Sequence, residues 1–567
     1  MLSPLTFSIL AVVLAAGLFA VYSPSLDYQF ILDDHRFVND PRLQSSGHVW
    51  EYFSNYVWAQ FPGGASTFYR PLFVLWLRVN FMLSEMSSWR WHLLSVVKHL
   101  GVAVLLGLLV WKLLRDRVAV LIAGMLFALH PAQTESVAWV TVPDPLMSAA
   151  VLGAVLLYLR YAGYFLRDSQ PPAGKSGTKS RKLRQDNSIR ANSVARSSAT
   201  WLIGSALLCL VALLAKETAI VLPAIIFALA LLPPSPESGA AASARDEDRG
   251  LQPRLLDALL QIVPFLCVTL AYLLLRLHAL GGRMGALTQH LPLKTLLLSW
   301  PATLWFYVKV LLWPVRLRAF ADSSQADAFS PRGVLLPAVA VCAAAATLGG
   351  SLAWAWRKAR RDLQPRDAAG VHCAMLLGTL LLVLPILPAL SLNALNPGDF
   401  LHGRYTYLSS TGLMLLLATG WHLTKRARIP LLCGAGLLAV IFSVLTVTQE
   451  AAWKDDLTVF TVAQQIAPHN APVAQSLARA HVQVALDLDV AGHCNEAMPV
   501  FEQVTQQYPE DWYAWAGLGD CLLQINDLSG AERALRRAAD LSHEPRVTDQ
   551  WQKVRARLEG GASVPAR

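Results

Sequence analysis

Charge is scarce in this 567-residue sequence. Only 15% of its residues are charged, where soluble domains average about a quarter. Hydrophobic residues make up 54%, and the mean hydropathy is +0.41. An ordinary soluble enzyme is excluded. Metal-type cysteine spacing is missing as well: none of the seven cysteines forms a CxxC pair, and Cys209, Cys267, Cys342, Cys373 and Cys433 lie in apolar runs. No cysteine metal site is therefore expected. The first apolar run, LSPLTFSILAVVLAAGLFAVY, lacks a basic n-region and a small-residue cleavage motif. It reads as a retained transmembrane helix, not a removed signal peptide. Charges set mid-helix, as an ion path or proton relay needs, are also missing. A transporter, with its midplane sites, ranks low for that reason.

Long apolar runs are plentiful. They fall near 2–22, 91–111, 118–134, 145–164, 201–216, 218–233, 255–278, 333–356, 371–391, 407–424 and 430–448. Runs of about 17 to 25 residues are long enough for a hydrocarbon core about 30 Å thick, and those at 201–216 and 218–233 come just short of that. The expected fold is all-α, a polytopic helical bundle of about 11 crossings over residues 1–450, followed by a soluble helical tail over 451–557. Basic residues cluster at 111–117, 165–200, 357–366 and 425–428. The positive-inside rule places all four on the cytoplasmic side, a reading preferred to nucleic-acid binding despite the net charge of +10. With the N-terminus inside, eleven crossings satisfy that rule and leave the tail outside. A further run, 296–317, would flip the last two clusters. It is expected to lie at the outer interface or to re-enter there, with Trp300, Trp305, Tyr307 and Trp313 at the headgroup level. The first outer loop then spans 23–90, and the polar stretch 165–200 is expected to be a disordered cytoplasmic loop.

The tail repeats. Phe460, Ala463 and Pro468 recur 41 residues later as Phe501, Val504 and Pro509. Ala497, Phe501, Val504 and Pro509 recur 34 residues later as Ala531, Leu535, Ala538 and His543. A 34-residue period with Leu518-Gly519 matches the tetratricopeptide helix-turn-helix unit. The extra seven residues of the first step fit an insertion within ALDLDVAGHCN. Short arrays of this kind bind peptides or proteins along a concave face, and simple packing on the membrane domain is the plainer alternative. Cys494 and Cys521 fall here and can pair in an oxidising compartment, but spacing alone does not show that the thiols meet.

In this topology the remaining polar groups gather on the outer side. They are Asp33-Asp34 after the first run, HPAQTE (130–135), PDP (143–145), AKET (215–218) and DFLHGRYTYL (399–408). Each has an ordinary explanation. Lys216 can snorkel, Arg404 can anchor a helix end beside belt tyrosines, and His130-Pro131 can turn the chain. Their shared face is what points to a site. A carboxylate there can accept a proton from an attacking hydroxyl. A lysine or arginine can hold a phosphate leaving group. The reaction class is group transfer from a phospholipid-like donor to an acceptor hydroxyl.

The segments FILDDHRFVNDPRL, FYRPLFVLWLRVNFML, WHLLSVVKHL, LHPAQTESVAWV, LLALLAKETAIVLP and GRYTYLSSTGLMLLLA precede the repeats. That ordered set resembles the transmembrane and tetratricopeptide-repeat-containing proteins. These are relatives of the protein O-mannosyltransferases in the C-type (GT-C) glycosyltransferase superfamily, and the resemblance covers nearly the whole chain. It implies a GT-C-type membrane domain and a polyprenyl- or dolichyl-phosphate sugar donor, often carrying mannose. The sugar would pass to serine or threonine of a protein acceptor, recruited by the repeats. Residue by residue, it implies Asp33 as base or acceptor-positioning group with Asp34 as its partner. Arg404 and Tyr405 of the RYTYL motif would sit near the donor phosphate, with Lys216 a second candidate. His130, Glu135 and Asp144 would shape the donor site. No metal or other cofactor is implied. Three positions depart from the pattern: Val142 where a cation is expected, Gly403 where an acid often stands, and YLSS in place of YLPS. The expected location is a bacterial inner membrane in preference to the endoplasmic reticulum, with the repeats extracytoplasmic. The alternative reading is a non-catalytic membrane-anchored scaffold whose repeats assemble extracytoplasmic proteins.

Overall fold

A computed structural model describes residues 3–60, 66–164, 182–232, 251–282, 291–315, 321–322, 326, 328–392, 400–424 and 428–561. The chain divides into two units, Met1–Lys454 and Asp455–Arg567. Among the described residues both are helical, apart from an antiparallel pair of two-residue strands, Ala321–Asp322 and Phe400–Leu401.

In the first unit every one of the eleven predicted apolar runs carries helix. Seven described helices are long and apolar enough to cross a membrane, or up to eight if one bent pair counts as a span. Six of the seven fall on predicted runs: Leu5–Asp27, Ser88–Leu114, Gln252–Ala279, Pro331–Asp362, Pro365–Leu390 and Arg428–Trp453. The run near 118–134 forms the bent pair, Arg117–Ala128 and Pro131–Ala138, which turns by 52°. His130-Pro131 makes that turn, because proline cannot donate the backbone hydrogen bond that would continue the helix. Ala199–Ala215 and Glu217–Ala230 are shorter apolar helices. Asp144–Tyr161 and Tyr407–Leu423 complete the set and lie deep in the bundle.

The bundle core is rich in small residues, which let backbones approach closely where lipid supplies no hydrophobic drive. Gly412 shows why. A Cβ there would lie 2.4 Å from the Leu382 nitrogen and 2.5 Å from the Gly378 oxygen. Around that core, Leu5, Val12, Leu256, Val339 and Val440 are exposed, as expected of side chains that face lipid.

Leu293–Leu312, the seventh candidate, is a continuous helix of crossing length. Its bonds nevertheless tie both of its halves to one end of the bundle. Trp300 Nε1 donates to the Leu390 carbonyl at 3.2 Å, and His130 Nε2 lies 3.0 Å from the Leu311 carbonyl. Phe306, Tyr307 and Val310 pack with Ala132, Ile386 and Leu401 at that same end. Its length and composition are those of a crossing helix, whereas the sequence reading expected an interfacial or re-entrant segment.

The first loop is folded. Phe37, Val38, Leu43, Tyr52, Phe73, Leu77 and Trp91 form a core beneath the helix Pro71–Ser84. Of the stretch read as a disordered loop, 165–181 lies outside the described residues, and Lys182–Ala215 is one helix.

In the second unit, Asp456–Ile466, Ala471–Val490, Cys494–Gln507, Trp512–Gln524, Leu528–Ser542 and Pro545–Gly561 follow one another as antiparallel-type neighbours. The repeat positions Ala497, Phe501, Val504, Ala531, Leu535 and Ala538 are all buried. Gly517 lets helices cross there: a Cβ would meet the Phe501 ring at 2.4 Å.

Candidate active site at one end of the bundle

Residues widely spaced in sequence meet at one end of the bundle, its mouth, beside Leu293–Leu312. Asp34 opens the short helix Asp34–Val38 and is fully buried. Its Oδ1 accepts from the Thr141 amide at 3.1 Å and the Thr141 hydroxyl at 2.6 Å, and its Oδ2 from the Ile31 amide at 3.2 Å. These bonds tie the first loop to the turn before Asp144. Burial pushes the Asp34 carboxyl up to about 7, against the Thr141 and Ile31 bonds that favour the ionised form. Asp33 is only half-buried. It follows Leu32, whose φ of 51° is in the left-handed region, a conformation that costs a non-glycine residue about 1 kcal/mol or more. Two adjacent acids therefore meet different surroundings. One is enclosed as a strut, the other sits at the loop surface.

Asp144 begins the helix Asp144–Tyr161, and Lys216 ends Lys182–Ala215. Lys216 Nζ lies 2.6 Å from Asp144 Oδ1, with both side chains 3% exposed. Asp144 Oδ2 is buried with no hydrogen-bond partner. The Lys216 ammonium also stands 4.7 Å from the centre of the Tyr405 ring. Beside it, Glu135 receives three groups from the RYTYL segment. His402 Nδ1 lies 2.7 Å from Oε1, the Arg404 amide donates to Oε2 at 3.0 Å, and the Arg404 guanidinium lies 3.6 Å from Oε1. Arg404 is further held over the Trp139 ring at 4.3 Å. A Cβ at Gly403 would lie 3.5 Å from Glu135 Oε2, an ordinary van der Waals contact, so packing there does not demand glycine. An acid at Gly403 would add a second carboxylate beside Glu135.

His130 does different work. Its Nδ1 accepts from the Ala132 amide at 3.2 Å while Nε2 faces the Leu311 carbonyl, so it pins the helix Leu293–Leu312 to the turn.

Three contributors escaped the sequence reading. Lys98, on Ser88–Leu114, places Nζ 3.5 Å from the Val142 carbonyl and lies within the fields of Asp144 and Asp34. A cation thus stands beside Val142 after all, supplied from another helix. It also qualifies the expectation that no charge lies within an apolar run, and its isolation in the run 91–111 was the signal available. Arg70 and Glu217 form the second, a bidentate pair with Nε–Oε2 at 2.9 Å. They are 147 residues apart, and nothing local announces such a pair. The third is His402, whose ring completes the Glu135 cluster.

Chemically, the mouth offers four cations among the described residues, Lys98, Lys216, Arg404 and the Glu217-paired Arg70, all within the field of Asp144, while the half-buried Asp33 adjoins Asp34 on the first loop. The carboxylates Asp144 and Glu135 hold the cations in place. Such an arrangement suits an anionic group that enters among the cations and leaves with negative charge.

Residues 491–558 match the tetratricopeptide repeat family model. The chain is 26% identical over 524 residues to protein O-mannosyl-transferase Tmtc1 of Drosophila melanogaster, covering 80% of this chain and 57% of that protein. It is 36% identical over 148 residues to protein O-mannosyl-transferase TMTC3 of Homo sapiens, covering 25% of this chain and 16% of that protein. The chain thus spans little more than half the length of the fly relative. Among solved structures, ArnT from Cupriavidus metallidurans bound to undecaprenyl phosphate is similar with a TM-score of 0.40 and 14% identity, over 93% of this chain and 79% of that one. A likeness of that size carries no weight for the site.

Proposed function

We propose that this chain, a relative of the transmembrane and tetratricopeptide-repeat-containing proteins, is an integral-membrane GT-C-type glycosyltransferase. Its donor is a sugar on a polyprenyl or dolichyl phosphate, mannose being the sugar its kinship favours. Its acceptors are serine or threonine hydroxyls of proteins recruited by the repeats. The observation that carries this reading is the cluster of Lys98, Lys216 and Arg404 at the mouth where a lipid phosphate would arrive, with Asp33 on the adjoining loop.

In the reaction, the acceptor oxygen forms a bond to the anomeric carbon as the bond from that carbon to the phosphate oxygen breaks. Asp33 takes the hydroxyl proton, a role its partial exposure permits. The lipid phosphate leaves with its negative charge held by Arg404, Lys216 and Lys98. Asp34 holds the loop against Thr141 so that Asp33 stays at the mouth. Glu135 and Asp144 fix Arg404 and Lys216 in advance, which spares reorganisation during transfer.

Mass spectrometry of extracytoplasmic proteins, from cells with and without the chain, tests the reading. Hexose should vanish from particular serines or threonines when the chain is deleted. It should stay absent when Asp33→Asn or Arg404→Ala is supplied at normal membrane levels. Unchanged glycopeptides in the deletion would overturn the protein-acceptor reading.

A further inference from the structure

The second unit contains a buried cluster that the transfer reaction does not use. Asp489 lies in the last turn of Ala471–Val490, Cys494 opens Cys494–Gln507, and Cys521 lies in Trp512–Gln524. All three are buried, and one ligand atom from each falls within 4.8 Å of the others. Asp489 Oδ1 lies 2.9 Å from Cys494 Sγ and 3.5 Å from Cys521 Sγ. Gln524 Nε2 donates to the same oxygen at 2.7 Å.

The backbone builds this arrangement independently of the cluster. Gly492, at φ +82°, turns the chain between the two helices. Its amide donates to the Asp489 carbonyl at 2.9 Å, and the His493 amide to the Leu488 carbonyl at 2.8 Å. The turn brings Cys494 back over Asp489. Cys521 reaches the same point from the next repeat.

The charges around the cluster are of one sign. Asp520 adjoins Cys521 and is half-buried. Among the described residues neither Asp489 nor Asp520 forms an ion pair; their recorded polar partners are Gln524 and the two thiols for Asp489, and Gln550 for Asp520. Two carboxylates and two thiols are thus gathered with no positive charge to balance them. A bound cation would relieve that imbalance.

We propose that Asp489, Cys494 and Cys521 form a binding site for a thiophilic divalent cation, zinc being the ion that two sulfurs and one carboxylate oxygen suit best. Zinc–sulfur and zinc–oxygen bonds of about 2.3 and 2.0–2.2 Å require only small shifts from the separations present. Binding replaces two S–H bonds with two metal–thiolate bonds and releases two protons, with no change of oxidation state. Gln524 gives up its bond to Oδ1, and a water takes the fourth place. The ion would join the end of one helix, the start of the next and the middle of a third, fixing adjacent repeats in register.

The test uses the full-length protein in detergent, stripped with chelator and then dialysed against zinc. Elemental analysis should find about one zinc per chain, held by three protein ligands and a water. Cys494→Ser/Cys521→Ser and Asp489→Asn should lose it. Cobalt in place of zinc should give a thiolate-to-metal charge-transfer band in the wild type alone. Melting of each metal-free variant controls for folding, and Asp489→Asn, nearly isosteric, keeps the test sound if the double variant melts early. Equal zinc in wild type and Asp489→Asn overturns the site. So does a Cys494–Cys521 disulfide found by non-reducing peptide mapping of the protein as isolated.

Discussion

The two units handle charge in opposite ways. In the membrane unit, Lys216–Asp144 has both side chains 3% exposed, and Arg404–Glu135 has 17% and 4%. In the repeat unit, Lys553–Asp549 has 71% and 62%, and Arg555–Glu559 has 56% and 65%. Those two repeat-unit pairs are one helical turn apart and dissolve into water at little cost. The membrane unit's pairs join residues 72 and 269 apart, where removing one partner strands the other. The first two pairs hold distant parts of the fold together, and the second two lie on the surface of single helices.

The strongest way to break this contrast is Lys216→Met. It leaves Asp144 buried and unpaired, and the detergent-solubilised protein should lose about 3–5 kcal/mol. Lys216→Met with Asp144→Leu should recover much of that loss in thermal melts while transfer stays absent. A Lys216→Met protein that melts like wild type would abolish the contrast. Next comes Glu135→Gln, which leaves Arg404 and His402 facing a neutral group. Transfer should drop by about tenfold or more at normal protein level, measured on an acceptor peptide.

Asp34 sharpens the comparison through pH. The folded carboxyl keeps its proton up to about pH 7, while the unfolded chain releases it near 3.9. Between those values the native state binds more protons, so this residue's contribution to stability falls as pH rises from about 4 to 7. Melting at a series of pH values should show that slope, and Asp34→Asn should flatten it. The smallest effect belongs to the other unit: Lys553→Ala should move stability by no more than about 0.5 kcal/mol.

Periodic features are legible in the sequence, and tertiary ones are not. Eleven apolar runs announced eleven helices, because crossing length is written in consecutive residues. The 34-residue recurrence of Ala497, Phe501 and Val504 announced the repeat core for the same reason. Asp33, Lys216 and Arg404 came into view by topology and resemblance together. Lys98 did not, although a lone lysine in the run 91–111 was visible, since its significance lies in the Val142 carbonyl 44 residues on. The pairing of Arg70 with Glu217 depends wholly on the fold. So does the gathering of Asp489, Cys494 and Cys521, where the cysteine spacing of 27 matched no familiar ligand pattern.

The helix Leu293–Leu312 has a consequence for the lipid around it. Hydrogen bonds join it to Leu390 and to His130. Leu293, Leu297 and Leu312 remain exposed along its length, with Trp300 and Trp313 at intervals. At 1.5 Å rise per residue such a helix is about 30 Å long. That length equals the thickness of a hydrocarbon core, about 30 Å, so its exposed leucines would offer lipid chains a continuous apolar strip on this side of the bundle.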